Sequence, residues 1–342
     1  MREGCEMWLS NKKILITGGT GTIGKALLNR LLNYDINCIY IFSRDEQKQE
    51  AELYYFKQNP KVNFIIGDIR NYDSINSALR GIDIVFHTAA MKIVGICENN
   101  PYEAFITNVI GTQNIIKSAT LNNVEKVIFT SSDKAANPTT VMGVGKLYSE
   151  RLISHANFFT ENSTIFTTVR FGNVFGSRGC VLDLFKNQIK KQNYVTVTHP
   201  DMTRFICTID DAVDLLIKSS EIATGGEILI KKMPSIRIVD LAEVLIEYLA
   251  PLYSKDPKDI EIKITKKLPS EKLFEELITD HEAERSFEFD DYYSVLPTIF
   301  PNKQNTFDLT KGKFVCGEIS SNTSLNLTKE KLLDFLIENK LI

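Results

Sequence analysis

The tightest constraint on this chain lies near its amino end. Lys12 to Thr17, KKILIT, is an apolar run that passes directly into Gly18, Gly19, Thr20, Gly21, Thr22, Ile23 and Gly24, and then into the helical pattern KALLNRLL. A strand, a glycine turn and a helix in that order specify the first unit of a doubly wound parallel sheet. The glycines permit a tight turn and a close backbone approach, and the helix amino end attracts a pyrophosphate. Gly18, Gly21 and Gly24 are spaced G-x-x-G-x-x-G, one residue wider than G-x-G-x-x-G. Gly18, Thr20, Gly21, Thr22, Ile23 and Gly24 are therefore candidate dinucleotide contacts, the alternative being a turn with no ligand.

The next apolar runs extend the pattern. A second strand, Ile36 to Phe42, ends at Ser43, Arg44 and Asp45, where such folds place an acid about 20 residues past the glycines for a ribose hydroxyl. A guanidinium suits a 2′-phosphate, so Arg44 favours NADP over NAD, while Asp45 keeps NAD as the lesser reading. A third strand, Val62 to Ile66, leads to Gly67, Asp68 and Ile69, where a carboxylate can meet an adenine amino group; the alternative is a helix cap at Asp68 or Asp73. The fourth, Ile82 to His87, is followed by Thr88, Ala89 and Ala90, small enough for a flat cofactor to lie on the backbone. Lys92 comes next, either within reach of a substrate or on the surface. His87 reads as a core histidine, and Asn108, polar in a mostly apolar helix, as a buried hydrogen-bonding residue.

A fifth strand, Val124 to Phe129, opens onto TSSDKAANPTTVMGVGK. Ligands in open α/β sheets bind outside the carboxyl ends of the strands, so Ser131, Ser132, Asp133 and Lys134 line a crevice there. Pro138 breaks the chain, and the following helix carries Met142 and Lys146 on one face because residues four apart are neighbours.

Composition sets the outer limits. The chain has 342 residues, 43% of them apolar, enough for one compact body with an appended lobe. A net charge of −3 with dispersed lysines points to neither nucleic acid nor an anionic membrane. Cys5, Cys38, Cys97, Cys180, Cys207 and Cys316 lack metal or disulfide spacing, and no apolar run approaches the roughly 18 residues of a membrane span. A soluble, cytoplasmic protein is expected.

From about Lys12 to about Ile278 the chain resembles the extended short-chain dehydrogenase/reductases, and within them the bacterial nucleotide-sugar 4,6-dehydratases of the capsule and flagellin-sugar type. The blocks that carry the resemblance are ITGGTGTIG, FSRDEQKQ, IIGDIR, FHTAAMK, NPYEAFITNVIGTQN, SSDKAANP, RFGNVFGSRG, DMTRF and EKLFEEL. The resemblance implies NADP as cofactor and UDP-N-acetylglucosamine as substrate, with inversion at carbon 5. It implies that hydride leaves carbon 4, water is lost across carbons 5 and 6, and the hydride returns to carbon 6. It implies Asp133 as the acid for the leaving hydroxyl, Lys134 as the base for the carbon 5 proton and Lys146 as the ribose-holding lysine. Lys134 would then need its pKa brought from about 10.4 toward roughly 7 to 8 by burial or a neighbouring cation such as Lys146. Met142 departs from the family's tyrosine of Y-x-x-x-K; a thioether cannot accept a proton, which leaves Ser132, Asp133, Lys134, or Lys146 through a water as substitutes. The capsule-sugar subset is similar in bearing Met there.

By the same resemblance Asn173 contacts the sugar nucleotide, Arg178 approaches its diphosphate or base, and Glu271 with Lys272 closes over the nucleotide; Arg204 fits a diphosphate clamp, since a guanidinium pairs with phosphate oxygens. Leu268 and Ser270 replace an arginine and a glycine of that block. Asp210, Asp211 and Asp214 read as a helix start. From about Arg285 an extended arm leads to a last helix, capped by Thr328, whose Leu332, Leu333, Phe335, Leu336 and Leu341 need a partner surface; packing across a subunit boundary is the preferred expectation, docking on the chain itself the alternative.

The expected architecture is a Rossmann-type α/β doubly wound parallel sheet with a small carboxyl-terminal substrate-binding lobe: residues 1–172 for NADP, 173–285 for substrate interleaved with the core, 286–342 as arm and helix. The expected activity is an NADP-dependent nucleotide-sugar 4,6-dehydratase, a homo-oligomer serving surface polysaccharide or glycan synthesis. A nucleotide-sugar 4-epimerase and a catalytically silent cofactor-binding subunit are the rivals.

Overall fold

The structure of the chain, a computed structural model, describes residues 7–56, 59–159, 163–267, 270–298, 309–324 and 327–342; Leu268 lies outside them. The apolar runs become the parallel strands β1 (Lys13–Thr17), β2 (Cys38–Ser43), β3 (Val62–Ile66), β4 (Ile84–His87), β5 (Lys126–Thr130) and β6 (Ile165–Arg170). They pair in the order β3-β2-β1-β4-β5-β6. The order reverses at β1, so a crevice opens beyond the carboxyl ends of β1 and β4, where a doubly wound fold binds its ligand. Three strands start two residues later than their apolar runs. Ile36, Ile82 and Val124 are buried, but their amides donate back to Tyr34, Leu79 and Ala119 in the preceding turn or helix. An apolar residue at a helix–strand junction thus looks like strand while pairing with none.

Alternation along the strands divides the core between the two faces of the sheet. Ile14 and Ile16 of β1 face helices α1 (Thr22–Leu31) and α4 (Ile209–Ile222). Leu15 faces the opposite side, where α2 (Gly111–Leu121) and α3 (Val141–Phe159) contribute Ile115, Ile153 and Ala156. Thr208 caps α4 in a capping box with Asp211, while Asp210 and Asp214 reach Arg30 of α1. Asp211 and Asp210 therefore serve the helix start, while Asp214, beyond the first turn, serves the ion pair with Arg30.

A second core, with Phe185, Ile206, Leu241 and Leu245, lies under α5 (Ile238–Leu249). Around it are the strands β7 (Asn173–Val174), β9 (Thr203–Cys207) and β11 (Ser235–Arg237), and the parallel pair β8 (Tyr194–Val197) and β12 (Glu261–Ile264). The last helix, α6 (Lys329–Glu338), buries Leu332 and Leu336 in this same core, with Thr328 accepting from the Lys331 amide. The partner surface of that helix is therefore the chain itself, which corrects the expectation of a subunit boundary.

The expected arm is also partly sheet. β10 (Ile228–Lys231) continues the parallel sheet beyond β6, and β15 (Tyr292–Val295), β14 (Ser286–Glu288) and β16 (Lys313–Phe314) add antiparallel strands in that order. Their period is hard to read because the inward positions include serines, Ser286 and Ser294, both fully buried. β13 (Glu276–Ile278) and β17 (Ile319–Ser320) form a separate short pair.

Candidate active site

Two adjoining clefts lie at the carboxyl ends of the parallel strands. The first, of about 640 Å³, is lined by Gly18, Thr20, Gly21, Thr22, Ile23 and Gly24, and by Ser43, Arg44, Ile69, Ala89 and Ala90. Gly18 has φ +67° and a Cβ there would come within 2.8 Å of the Ala89 Cα; one at Gly24 would come within 2.5 Å of the Gly19 Cα. A Cβ at Gly21 would meet only the Gly18 carbonyl oxygen, at 3.1 Å. Gly21 is also the N-cap of α1 and has no side chain to satisfy the first-turn amides, which leaves them to an anion. On the same wall Thr107 Oγ1 is buried without a hydrogen-bond partner, a donor and acceptor the sequence reading missed. The glycine cradle, the uncapped helix and this orphaned hydroxyl fit a dinucleotide.

Two expected cofactor contacts stand behind the wall rather than on it. Asp68 accepts from the Arg70 amide and Nε and faces Arg44 Nη1 at 3.8 Å, and the cap of the following helix is Asn71. Asn108 sits in a π turn, Ile106–Ile110, ahead of α2; it exchanges two hydrogen bonds with the Met91 backbone and so fixes the loop after β4. His87 is a core residue, bonded to Thr17 and Thr112, and burial together with the Lys146 charge pushes it down to about 3.

The second cleft, of about 470 Å³, shares Ile23, Thr88, Ala90, Lys92 and Arg178 with the first. Ser131, Ser132, Lys134, Met142, Lys146 and Asn173 line it. Lys92 donates to the Arg178 carbonyl at 3.1 Å, and burial, with the Arg178 charge, lowers its pKa. Asp133 is fully buried and reaches the cleft only through its neighbours: its Oδ1 accepts from Ser132 Oγ at 2.9 Å and from Lys134 Nζ at 3.0 Å.

The two lysines of this cleft are tuned in opposite directions. Lys146 is buried, donates to the Thr130 carbonyl at 2.7 Å and lies 4.7 Å over the Phe129 ring. Burial outweighs the distant pull of Glu150 and Cys97 and brings it down to about 8. Burial works the same way on Lys134, but Asp133 and Glu275 overcome it and raise the pKa above the ordinary lysine value. Lys134 is thus held as an ammonium, which corrects the expectation that burial or Lys146 lowers it; the neighbours that count are carboxylates. Met142 is buried among Cys97, Ala104, Met91 and Val94, so no proton acceptor occupies the slot one turn before Lys146.

Arg204 and Glu271 line neither cleft. The Arg204 guanidinium is buried and donates to the carbonyls of Thr203, Lys272 and Leu273, so it fastens the 270–275 segment instead of facing a phosphate. Glu271 accepts from Thr198. That segment brings in a residue the sequence reading passed over, Glu275, whose Oε1 lies 3.6 Å from Lys134 Nζ. It stood inside the quoted block EKLFEEL, but nothing local marks which of its three acids turns inward.

A family model described as polysaccharide biosynthesis protein matches residues 14–297. The chain belongs to this family. Among polysaccharide biosynthesis proteins and their kin, a Methanocaldococcus jannaschii protein described as an uncharacterized membrane protein is 50% identical over 86% of this chain and 89% of its own length. A Rickettsia bellii protein named UDP-glucose 4-epimerase is 42% identical over 83% of each chain. The crystal structure of Pen from Bacillus thuringiensis superposes with a TM-score of 0.90 at 42% identity, covering 98% of this chain and 99% of that one. The family fold here is the Rossmann-type sheet expected from the glycine turn. Among the described residues no helix is long and apolar enough to cross a membrane.

Proposed function

We propose that the chain is a nucleotide-sugar 4,6-dehydratase that holds NADP in the first cleft and UDP-N-acetylglucosamine in the second, inverting carbon 5. The observation that carries this reading is the Ser132–Asp133–Lys134 network on the wall of the second cleft. Removal and return of hydride need no such group, whereas loss of water needs one group to take a carbon-bound proton and another to protonate the leaving hydroxyl. Asp133 would pass a proton through the Ser132 hydroxyl to the leaving group, and Lys134, once its ammonium has given up a proton, would take the one on carbon 5. Bound NADP supplies the acceptor and donor of hydride. Lys146, with a pKa near 8, takes the sugar hydroxyl proton that a tyrosine takes elsewhere in the family. Arg44 lies at the lip of the first cleft, and the neighbouring Asp45 is engaged by Lys48, which leaves the guanidinium for a 2′-phosphate.

A second reading, 4-epimerisation, draws on the name of the Rickettsia bellii relative. Incubation with UDP-N-acetylglucosamine in heavy water, followed by mass spectrometry, separates the two. A keto product lighter by one water and carrying deuterium at carbon 5 is the expected result; an isomer of unchanged mass would establish the epimerase instead.

A further inference from the structure

Lys134 has a second carboxylate neighbour that the dehydratase reading does not use. Glu275 comes from the segment that crosses the mouth of the 132–139 loop, and its backbone is pinned there: its amide donates to Ser321 Oγ at 3.0 Å and its carbonyl accepts from the Ser321 amide at 2.9 Å. The segment is tied to the loop on its other side too, by Lys272 Nζ on the Ala136 carbonyl and Thr139 Oγ1 on the Ser270 carbonyl. Glu275 is buried, with Oε1 3.6 Å from Lys134 Nζ and 3.9 Å from Arg204 Nε. Its Oε2 is buried with no hydrogen-bond partner, as is Oδ2 of Asp133. Native proteins rarely leave such oxygens bare without a use for them.

We propose that Glu275 is a positioning residue for Lys134, holding its ammonium between Asp133 and Asn173 and setting the pH range in which the second cleft can remove a proton. The proposal rests on Lys134 being the proton-exchanging group of the dehydratase reading, and it names what controls that group. The groups around the pair come from four places. Asp133 lies on the same turn, 3.0 Å from Nζ, and Asn173 Oδ1 accepts at 3.1 Å from β7. Arg204 and Cys207 come from β9, the first acting against the Lys134 charge and the second facing Asp133. Lys272, paired with Glu276, comes from the segment itself. Of these the carboxylates dominate at Lys134, so removing Glu275 removes part of what keeps the proton on Nζ. Burial in turn raises the pKa of Glu275, so the contact operates only above the pH at which that carboxyl ionises.

The test needs no substrate. The full chain is labelled with 15N-lysine, the Lys134 side-chain resonance is assigned by its loss in Lys134→Arg, and the resonance is followed against pH in the parent and in Glu275→Gln. The expected result is that parent Lys134 stays protonated beyond the pH at which exposed lysines are half-titrated, and that Glu275→Gln shifts the midpoint to lower pH while Glu275→Asp recovers part of the difference. Superimposable titrations in the parent and Glu275→Gln would overturn the proposal. If the variant does not fold, the parent alone decides: titration at or below the range of exposed lysines would overturn it as well. An activity profile adds the link to chemistry, since the acid limb of deuterium exchange at carbon 5 should move with the Lys134 midpoint. A moved midpoint with no sugar nucleotide transformed would sink the dehydratase reading and leave the control of Lys134 standing.

Discussion

Arg170 and Lys134 occupy comparable positions and do opposite things. Each is a cation from the parallel-sheet part of the chain, held between one nearby carboxylate and one from residues 275–282. Arg170, at the end of β6, has Glu150 and Glu282; Lys134 has Asp133 and Glu275. All five N–H donors that a guanidinium carries are used at Arg170, on Glu150, Glu282 and the Leu277 carbonyl, and the side chain is fully buried. At Lys134 the side chain keeps 21% of its exposure, and both carboxylate partners carry a buried oxygen with nothing to bond. The first cluster is closed and the second is open toward a cleft. A satisfied buried cluster fixes how two parts of a chain sit together, whereas an unsatisfied one beside a cleft is available for proton exchange.

The largest effect expected of this contrast is on turnover. Lys134→Arg keeps the charge but removes an amine that can lose its proton, so dehydration of the sugar nucleotide should fall by about 10²- to 10⁴-fold. The melting temperature should barely move. Mass-spectrometric product assays beside thermal unfolding check both halves, and a variant that keeps full activity would break the comparison. Arg170→Met should do the reverse, because it strands two buried carboxylates; a loss of about 3–5 kcal/mol in urea unfolding is expected.

The closed cluster also sharpens the comparison through acid. Burial alone would raise the Glu282 pKa, but the Arg170 charge and hydrogen bonds prevail and hold it down to about 2, against 4.5 unperturbed. A carboxyl whose folded pKa is depressed stabilises the fold fully above its unfolded pKa and loses that contribution as pH falls through the folded one. Stability should therefore decline between about pH 4.5 and pH 2, by up to about 3 kcal/mol from this group. Urea midpoints of the parent at pH 6 and pH 3, set against those of Glu282→Gln, measure it; a pH dependence identical in the two would remove Glu282 as its source.

What the sequence disclosed and what it withheld divides along the same line. The glycine cradle is legible because it depends on neighbours in the chain: a strand, glycines at fixed intervals and a helix start determine where Gly18, Gly21 and Gly24 must lie. The five strand ends were legible from apolar runs, as was Thr328 as a cap. Glu275 was not, because its partner stands at Lys134 and only the folded path of the 270–275 segment brings them together. Arginine suits a phosphate, but the direction of a side chain is a tertiary fact, and Arg204 turns to backbone carbonyls. Likewise the apolar face of α6 showed that it needed a partner without showing that α5 supplies it.

A third cation completes the series and gives the smallest expected effect. Arg44 lies at the far end of the first cleft, half exposed, and its ion pair with Asp68 is a loose one at 3.8 Å. Arg170 is closed and Lys134 half open; Arg44 is free to bind a ligand charge with little rearrangement. A charged hydrogen bond to a 2′-phosphate contributes about 1.5–3 kcal/mol, so Arg44→Ala should cut the preference for NADP over NAD by roughly ten- to a hundred-fold. The loss should fall on NADP affinity and leave NAD nearly untouched, since Asp45 remains tied to Lys48 in either case. Fluorescence titration with each dinucleotide reads the two constants separately. Equal weakening of both would mean that Arg44 supports the adenosine half in general, and an unchanged ratio would return the ribose site to NAD.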